Sequence, residues 1–448
     1  MVVSCIIEFD QNPYGTYFAG QTLTGKITLQ SDKVKQVKGV ALKIKGFAHT
    51  HWTEGRSSNR RSSRKHFRGH EDYLASITYL LGSEENNLIR IEPGIHSYTF
   101  ACRIPEFCPS SFEGLYGHIR YTVKVVLIRP WKFDQSFTHG FTVLKVADLN
   151  YDGPILRVPA TSEICKTFCC GPCSSEPLKL NVSIPQTGFV PGQNITVTVL
   201  VTNDSSVQIE EVRPALVMII CYYSQTPYTK TKMQRSVVTK LKGEPVLRHC
   251  KKLFHYELPV PATPPTCLNL CRIIQVAYQV EVEAKVKLFH ANQVACIPVT
   301  IGNVPFMDVV QQQPRIGMNI GANGGLLRSA NVGDNVKIAE ELNVKASVMP
   351  LTCSDVDGIQ VLPMLENTQP TSSSPWSSDA NIPPPCYEEA LHLYRGKINE
   401  DEAHDYGQID FAPRYLVFNI PSSIAEQPDE CDGDVSNVGS EPKKTTWL

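Results

Sequence analysis

Two short segments, far apart in the chain, share one pattern. Residues 17–29 read YFAGQTLTGKITL and residues 188–200 read GFVPGQNITVTVL. Each has an aromatic residue, two further residues, a Gly-Gln pair and then alternating β-branched or leucine positions. Alternation with a period of two predicts a strand with one buried face, and a preceding glycine predicts a turn. The repeat therefore indicates two copies of one β-rich unit, unless Gly-Gln turns recur here by chance.

A second pair of segments supports the same interpretation. IRYTVKV (119–125) matches VAYQVEV (276–282) in hydrophobic phase around Tyr121 and Tyr278. No amphipathic helical pattern of about ten residues or more precedes residue 330. We therefore predict an all-β architecture with two tandem immunoglobulin-like β-sandwiches. The predicted strands are 20–29, 39–44, 119–128, 140–146, 178–184, 194–201, 212–222, 271–286 and 294–301.

The composition changes after Pro305. The following residues include the glycine cluster GMNIGANGG (317–325) and the segment NTQPTSSSPWSS (367–378). Such segments bury too little apolar surface to offset the entropy that the chain loses on folding. We predict an N-terminal sandwich over 1–150, a linker over 151–165, a C-terminal sandwich over 166–305 and a largely disordered tail over 306–448.

Charge and hydropathy exclude several classes of protein. Lys and Arg number 43 against 44 Asp and Glu, a net charge of −1, so no global field favours nucleic acid as a partner. The first residues, MVVSCIIEFDQN, lack the basic start and apolar core of a signal peptide. The longest strongly apolar run, 215–223, is far shorter than the about 20 residues of a membrane span. We expect a cytoplasmic protein, in which the 15 cysteines are buried small hydrophobes or free thiols.

Residue patterns of catalysis and metal binding are absent. Neither G-x-S-x-G nor H-E-x-x-H occurs, and the glycine cluster does not match a phosphate-binding loop. Four cysteines, Cys165, Cys169, Cys170 and Cys173, lie too close together in sequence to wrap a zinc ion. We expect no catalytic residues, no metal and no cofactor. The C-x-x-C box from Cys170 to Cys173 leaves a thiol oxidoreductase as an alternative, although a strand follows it and no helix dipole would activate the thiol.

The tail contains a sequence that is typical of a recognition motif. Residues 382–390 read IPPPCYEEA and include Pro384-Pro385-Cys386-Tyr387, a P-P-x-Y match. Consecutive prolines preform a polyproline II helix, whose rings pack in the aromatic groove of a WW domain while the tyrosine fills a neighbouring pocket. In FAPRYLVF (411–418) an alanine replaces the first proline. The loss of one proline ring should weaken the docking of this partial match.

Several segments together resemble the α-arrestins, the family of arrestin-domain-containing and thioredoxin-interacting proteins. They are YFAGQTLTGKITL (17–29), GFAHTHW (46–52), the stretch EPGIHSYTFACRIPEFCPSSFEGLYGHIRYTVKVVLIRPW that ends at Trp131, and GFVPGQNITVTVLVTN (188–203). The resemblance covers residues 5–305 in order and is most specific over 93–131. It implies two arrestin-type sandwiches and a tail that recruits ubiquitin ligases of the HECT class. By this resemblance Pro384, Pro385 and Tyr387 bind the WW domains of the ligase. It also implies a second site further on, and we interpret Pro413 and Tyr415 as this auxiliary WW-binding site, which acts by avidity.

The resemblance also implies a function. An α-arrestin is a non-enzymatic adaptor that binds a membrane receptor or transporter as cargo and brings the ligase beside it, which promotes ubiquitination, endocytosis and sorting. This role implies recruitment from the cytoplasm to the plasma membrane and endosomes. An alternative within the family is a redox regulator that binds thioredoxin. Cys250 is then the nearest candidate thiol, although its surroundings, RHCKKL, show no convincing local match.

Two basic stretches and the C-terminus are further candidate contact sites. The first stretch is either a solvated insertion loop or a surface for anionic lipid or phosphorylated cargo, and phosphorylation of its serines would cancel its charge. The second stretch would line a cargo-binding face. The chain ends in Thr446-Trp447-Leu448, in which Thr446 and Leu448 fit a PDZ ligand. The basic residues are Arg56, Arg60, Arg61, Arg64, Lys65 and Arg68 in the first stretch and Lys230, Lys232, Arg235 and Lys240 in the second.

Overall fold

A computed structural model of the chain describes residues 3–58, 61–83, 88–151, 153–168, 176–287, 290–307, 385–398 and 404–419. Within these ranges the regular structure is almost entirely β, as the sequence predicts, and the helical part is a single turn, α1 (Gly153–Leu156). Over the same ranges, no helix is long and apolar enough to cross a membrane.

The N-terminal sandwich is formed by two sheets. One has the strand order β1-β3-β8, and the other has the order β2-β11-β10-β5-β6, with β9 beside β10; β4 and β7 pair separately. Inward side chains of both sheets, among them Ile27 and Val123, are fully buried in one cluster. The strands are β1 (Val3–Phe9), β2 (Thr16–Phe18), β3 (Thr22–Ser31), β4 (Lys35–Val37), β5 (Gly39–Ser58), β6 (Arg61–Gly82), β7 (Ile89–Ile91), β8 (Gly94–Arg103), β9 (Phe112–Gly114), β10 (Gly117–Ile128) and β11 (Gln135–Leu144).

The C-terminal sandwich repeats this arrangement, with sheet orders β12-β13-β15-β18 and β14-β20-β19-β16-β17. Each predicted strand overlaps an observed one, which confirms the period-two interpretation. β12 begins inside the stretch 151–165 that we predicted as a linker, because it pairs along its length with β13. The strands are β12 (Ala160–Lys166), β13 (Leu178–Ile184), β14 (Gly188–Phe189), β15 (Asn194–Asn203), β16 (Ile209–Tyr223), β17 (Thr231–Lys240), β18 (Cys250–Pro259), β19 (Ile274–Val286) and β20 (Gln293–Ile301).

The Gly-Gln repeat corresponds to the same turn in both sandwiches. Gly20 has φ +91° and Gly192 has φ +97°, a left-handed conformation that glycine adopts without steric cost. In each turn the glutamine Oε1 accepts a hydrogen bond from the main-chain nitrogen three residues earlier, at 2.8 Å for Gln21 and 2.9 Å for Gln193. The repeat is therefore structural and not a chance recurrence.

The tyrosine repeat is structural as well. The buried phenol of Tyr121 donates a hydrogen bond of 2.7 Å to the carbonyl oxygen of Pro109. The buried phenol of Tyr278 donates one of the same length to the carbonyl oxygen of Pro264. Each tyrosine thus ties a central strand to the connection before it, which satisfies a buried carbonyl in both sandwiches.

The β5–β6 hairpin joins the two sandwiches. Its strands have 20 and 22 residues, which corresponds to about 65 Å of extended chain. It therefore passes beyond the N-terminal sandwich, and the Thr50 hydroxyl donates to the carbonyl oxygen of Tyr223 at 2.9 Å. Glu71 on β6 forms an ion pair with Arg272 at 3.2 Å. The first basic stretch, for which a solvated insertion loop was one of two alternatives, is thus paired strand on both sides of residues 59–60, which lie outside the described part.

Two stretches of the tail fold back onto the sandwiches. They are residues 385–398 and 404–419, which we call the strap, and the prediction of a disordered tail does not hold for them. Their sequence alternates enough apolar residues to bury Phe411, Leu416 and Phe418 almost completely. Apart from residues 306–307, the rest of the predicted tail lies outside the described residues. The strap contains β21 (Cys386–Glu389), β22 (Gly396–Lys397), β23 (Asp410–Phe411) and β24 (Arg414–Val417), paired as β21-β24 and β22-β23.

Candidate functional site

The second half of the P-P-x-Y motif begins strand β21 of the strap. Pro384 lies outside the described residues, whereas Pro385 is half-buried and Cys386 is exposed. β21 pairs antiparallel with β24, so that Tyr387 lies opposite Leu416. The structure therefore brings the P-P-x-Y motif and the predicted auxiliary motif together on neighbouring strands, although the sequence suggested two independent sites.

The side chain of Tyr387 is half-buried between the strap and the body of the protein. Its ring centroid lies 6.0 Å from that of Tyr14, which precedes β2. It also packs against a buried cluster to which both sandwiches and the strap contribute, and burial raises the pKa of its phenol. The members of the cluster are Phe18, Leu144, Leu149, Val190, Ala390, Tyr415, Leu416 and Phe418.

Tyr415 belongs to this cluster and is 1% exposed. Its phenol donates a hydrogen bond of 3.0 Å to the carbonyl oxygen of Ser111, and burial raises its pKa well above the usual value. A WW domain cannot reach this ring while β24 stays in place. The auxiliary WW-binding site at Pro413 and Tyr415 thus stays a prediction, and it requires the strap to leave the body.

Asp405 attaches the strap to β11. Its carboxylate accepts hydrogen bonds from the main-chain nitrogens of Thr138 (3.0 Å) and Gly407 (3.1 Å), and also from the Thr138 hydroxyl. Lys124 lies 3.8 Å away. The side chain of Asp405 is 2% exposed, so its carboxylate has lost most of its contact with water. The charge-assisted hydrogen bonds offset the free-energy cost of this desolvation.

A buried ion pair lies under the strap. The guanidinium of Arg120 binds both carboxylate oxygens of Glu113, at 2.6 and 2.9 Å. A further nitrogen of Arg120 donates to the carbonyl oxygen of Lys397 in the strap, at 2.8 Å. A buried guanidinium needs acceptors for its donors, and the strap supplies one of them to this pair.

The strap also contacts the C-terminal sandwich. The main-chain nitrogen of Phe418 donates to the carbonyl oxygen of Pro191 at 2.9 Å. The imidazole of His392 lies 3.2 Å from the hydroxyl of Thr263, and burial lowers its pKa to about 4. The strap is therefore attached to both sandwiches.

Sequence reasoning missed these attachment residues. Asp405, His392 and Phe418 carry no local motif, because the groups that they contact are far away in the sequence. One signal was present: the apolar positions of FAPRYLVF (411–418) are typical of a partly buried strand. We interpreted that segment by its proline and tyrosine alone.

The structure brings the two basic stretches into contact. The ammonium of Lys65 lies 5.5 Å from the ring centroid of Tyr228, and that of Lys230 lies 5.2 Å from the ring centroid of Phe67. Lys230 also forms an ion pair with Glu54. Arg64, Lys65 and Arg68 are exposed, whereas the side chains of Arg56, Arg60 and Arg61 lie outside the described part.

The second basic stretch is partly neutralised by its neighbours. Arg235 on β17 forms an ion pair with Glu281 on β19. Lys232 lies over the ring of Tyr116 at 5.3 Å, while Lys240 is exposed at the end of the same strand. This surface therefore carries fewer free cations than its sequence suggests.

Other predicted sites fall largely outside the described residues. This holds for Cys169, Cys170 and Cys173, and for Thr446 and Leu448 at the C-terminus. Cys165 on β12 and Cys250 at the start of β18 are described, and both are exposed free thiols. In the part of the chain that the structure describes, no three or more His, Cys, Asp or Glu side chains form a group that would hold a metal ion.

Comparisons with known proteins agree with the fold. The chain matches the family "Arrestin (or S-antigen), N-terminal domain" over residues 5–150 and the corresponding C-terminal domain over 174–306. It is 30% identical to "Arrestin domain-containing protein 17" of Caenorhabditis elegans, over 91% of this chain and 97% of that protein. It is 26% identical to human "Arrestin domain-containing protein 4" (68% and 72%) and 26% identical to "Thioredoxin-interacting protein" of Rattus norvegicus (65% and 72%).

Proposed function

The chain belongs to the arrestin family, in its α-arrestin branch, and from this premise we propose that it is a non-enzymatic adaptor between a ubiquitin ligase and membrane cargo. Its arrestin domains bind a receptor or transporter, and its P-P-x-Y motif binds the WW domains of a HECT-type ligase. The ligase then ubiquitinates the cargo, which is internalised and sorted.

The observation that supports this proposal most directly is the motif Pro384-Pro385-Cys386-Tyr387 in a chain with arrestin domains over residues 5–150 and 174–306. Two adjacent prolines lower the entropy cost of docking, and the tyrosine adds an aromatic anchor. The motif is on the same chain as both arrestin domains, so a ligase bound to it would be tethered close to their cargo.

The exposed cations at the junction of the sandwiches support recruitment to membranes. Arg64, Lys65 and Arg68 project from the long hairpin beside Tyr228. Basic residues near a bilayer are attracted to the anionic lipids of the cytoplasmic leaflet. We propose that the protein is cytoplasmic and moves to the plasma membrane and endosomes when it engages cargo there.

Binding of the full chain to a WW domain of a HECT-type ligase tests the proposal. Tyr387→Ala should lower the affinity at least about tenfold, since it removes the aromatic anchor. Tyr394→Ala is the matched control, because Tyr394 is a tyrosine of the same strap and is 54% exposed. Pro384→Ala tests the other half of the motif. Equal binding by wild type, Tyr387→Ala and Pro384→Ala would refute the proposal.

A further inference from the structure

We propose that the strap masks the WW-binding motif, so that the ligase is recruited only by molecules whose strap has left the two sandwiches. Masking presupposes the proposed function, since it concerns the regulation of the same motif. The strap would then be a switch between a closed form that excludes the ligase and an open form that binds it.

The ring of Tyr387 already packs against other side chains while the strap is docked. It contacts Tyr14 and packs against the buried cluster that includes Leu416. A WW domain encloses the same ring in a pocket of its own. One side chain cannot pack in both places, so the two interactions exclude each other.

The main chain of the motif is also engaged, because its last two residues pair with β24. Residues from Cys386 to Glu389 pair with β24 in an antiparallel register. A polyproline II ligand has no such pairing, and its backbone is open to the domain that binds it. A WW domain that covered Pro384 and Tyr387 would therefore have to separate β21 from β24.

Separation of β21 from β24 would also uncover buried side chains of the strap. β24 carries Tyr415, whose phenol is hydrogen-bonded to Ser111, and it leads directly to Phe418, which is bonded to Pro191. Tyr387 itself packs against the cluster that contains these residues, so freeing it would expose Leu416 and Ala390, which are 1% and 8% exposed. Opening of the whole strap would break contacts with both sandwiches, and we treat the strap as one element with a docked and a released state.

The two states predict a simple relation. The apparent dissociation constant for a WW domain equals the intrinsic constant divided by the fraction of open molecules. A synthetic peptide with residues 380–390 has no strap to release and gives the intrinsic constant. The full chain should bind more weakly than this peptide, by about tenfold or more if a tenth or less of the molecules is open.

A variant with a weakened strap tests this relation in the full chain. Phe411→Ser with Phe418→Ser removes two buried strap side chains and changes neither the P-P-x-Y motif nor the sandwiches. We expect it to bind a WW domain as tightly as the peptide does. The matched control is Leu391→Ser with Ile409→Ser, since these strap residues are 94% and 59% exposed. The control should keep the weak binding of wild type.

The outcomes separate masking from the proposed function. If the peptide binds and wild type binds equally tightly, masking is refuted while the proposed function stands. If the peptide and the weakened-strap variant both fail to bind, the proposed function is refuted, and masking falls with it. Weak binding by wild type together with tight binding by the variant supports both.

Hydrogen exchange in wild type gives a second test that needs no variant. A saturating WW domain should reduce the protection of amides in 404–419, which lie outside the motif, because binding and strap release are linked. Protection of β10 and β19 in the sandwich cores should stay unchanged. Undiminished protection of 404–419 in the saturated complex would overturn the inference.

Discussion

The phenol of Tyr415 donates a hydrogen bond of 3.0 Å to the carbonyl oxygen of Ser111, which fixes the end of the strap on the N-terminal sandwich. Ser111 is itself held rigidly. Its hydroxyl oxygen accepts a hydrogen bond from the main-chain nitrogen of Val143 at 2.9 Å, and its own nitrogen donates to the carbonyl oxygen of Val143 at 2.8 Å. The strap is thus attached to a point where β11 and the connection before β9 already meet.

Tyr415→Phe should weaken the docking of the strap without unfolding the sandwiches. The change removes one buried donor and leaves the Ser111 carbonyl unsatisfied, which costs about 1–3 kcal/mol. Amide exchange in 404–419 should accelerate roughly tenfold or more, since a tenfold change corresponds to about 1.4 kcal/mol. Tyr394→Phe, at an exposed tyrosine of the strap, is the control. Unchanged exchange in Tyr415→Phe would show that this hydrogen bond does not secure the strap.

Gly192→Ala should release the strap, whereas Gly20→Ala should not. Both glycines have positive φ, so alanine at either position costs about 1–2 kcal/mol of backbone strain. The surroundings differ, because a Cβ at residue 192 would lie 1.8 Å from the carbonyl oxygen of Phe418. A Cβ at residue 20 meets only the side chain of Glu106, at 3.2 Å. Comparison of the two variants therefore distinguishes the effect of backbone strain in the turn, which both have, from that of a clash with the strap, which only Gly192→Ala has.

Limited proteolysis and thermal unfolding measure the two effects. Both variants should lower the melting temperature because they strain equivalent turns, and Gly192→Ala should lower it further because the docked strap no longer stabilises the sandwiches. Only Gly192→Ala should also make residues 404–419 sensitive to protease at temperatures where the sandwiches remain folded. Equal protease sensitivity of the strap in both variants would contradict this difference.

Local patterns in the sequence were sufficient to predict the two sandwiches. The strand β15 shows why, because Ile195, Val197, Val199 and Val201 recur at every second position and are fully buried. The Gly-Gln turns are equally local, since each is completed by a side chain three residues away. Interactions of short range determine these elements, and a single sequence displays them.

The strap could not be predicted in the same way. Its partners are distant in sequence: Asp405 binds Thr138, and Tyr415 binds Ser111. The segments around it are rich in glycine, serine and proline, which predicts disorder by composition. Whether a short apolar segment in such a region folds depends on the groove that receives it, and that groove exists only after the sandwiches have formed.

Neutralising the basic hairpin should weaken binding to anionic membranes. Each cation near acidic lipid contributes about 1 kcal/mol, so Arg64→Ala, Lys65→Ala and Arg68→Ala together should reduce binding by on the order of a hundredfold. Sedimentation with vesicles that contain phosphatidylserine measures the effect. The control replaces three exposed lysines elsewhere, Lys26, Lys33 and Lys179, by alanine. If both triple variants lose binding equally, net charge and not the hairpin governs the attraction.

Acid should open the strap through His392. Burial lowers the pKa of this histidine from 6.5 to about 4 while the strap is docked, and release restores the ordinary value. The open form therefore binds more protons. The contribution of neutral His392 to the free energy of strap docking is complete above about pH 6.5 and is lost as the pH falls toward 4. Between pH 7 and pH 5 the closed form should lose on the order of 1–2 kcal/mol.

Proteolysis of the strap at pH 7 and pH 5 measures this loss. In wild type, cleavage in 385–398 should be about tenfold faster at pH 5, relative to a model peptide cleaved under the same conditions. His392→Gln keeps a side chain that can hydrogen-bond to Thr263 but cannot titrate, so its strap should respond much less to pH. His404→Gln, at a strap histidine that stacks on Phe133, is the matched control and should respond as wild type does. An unchanged pH response in His392→Gln would assign the effect to another group.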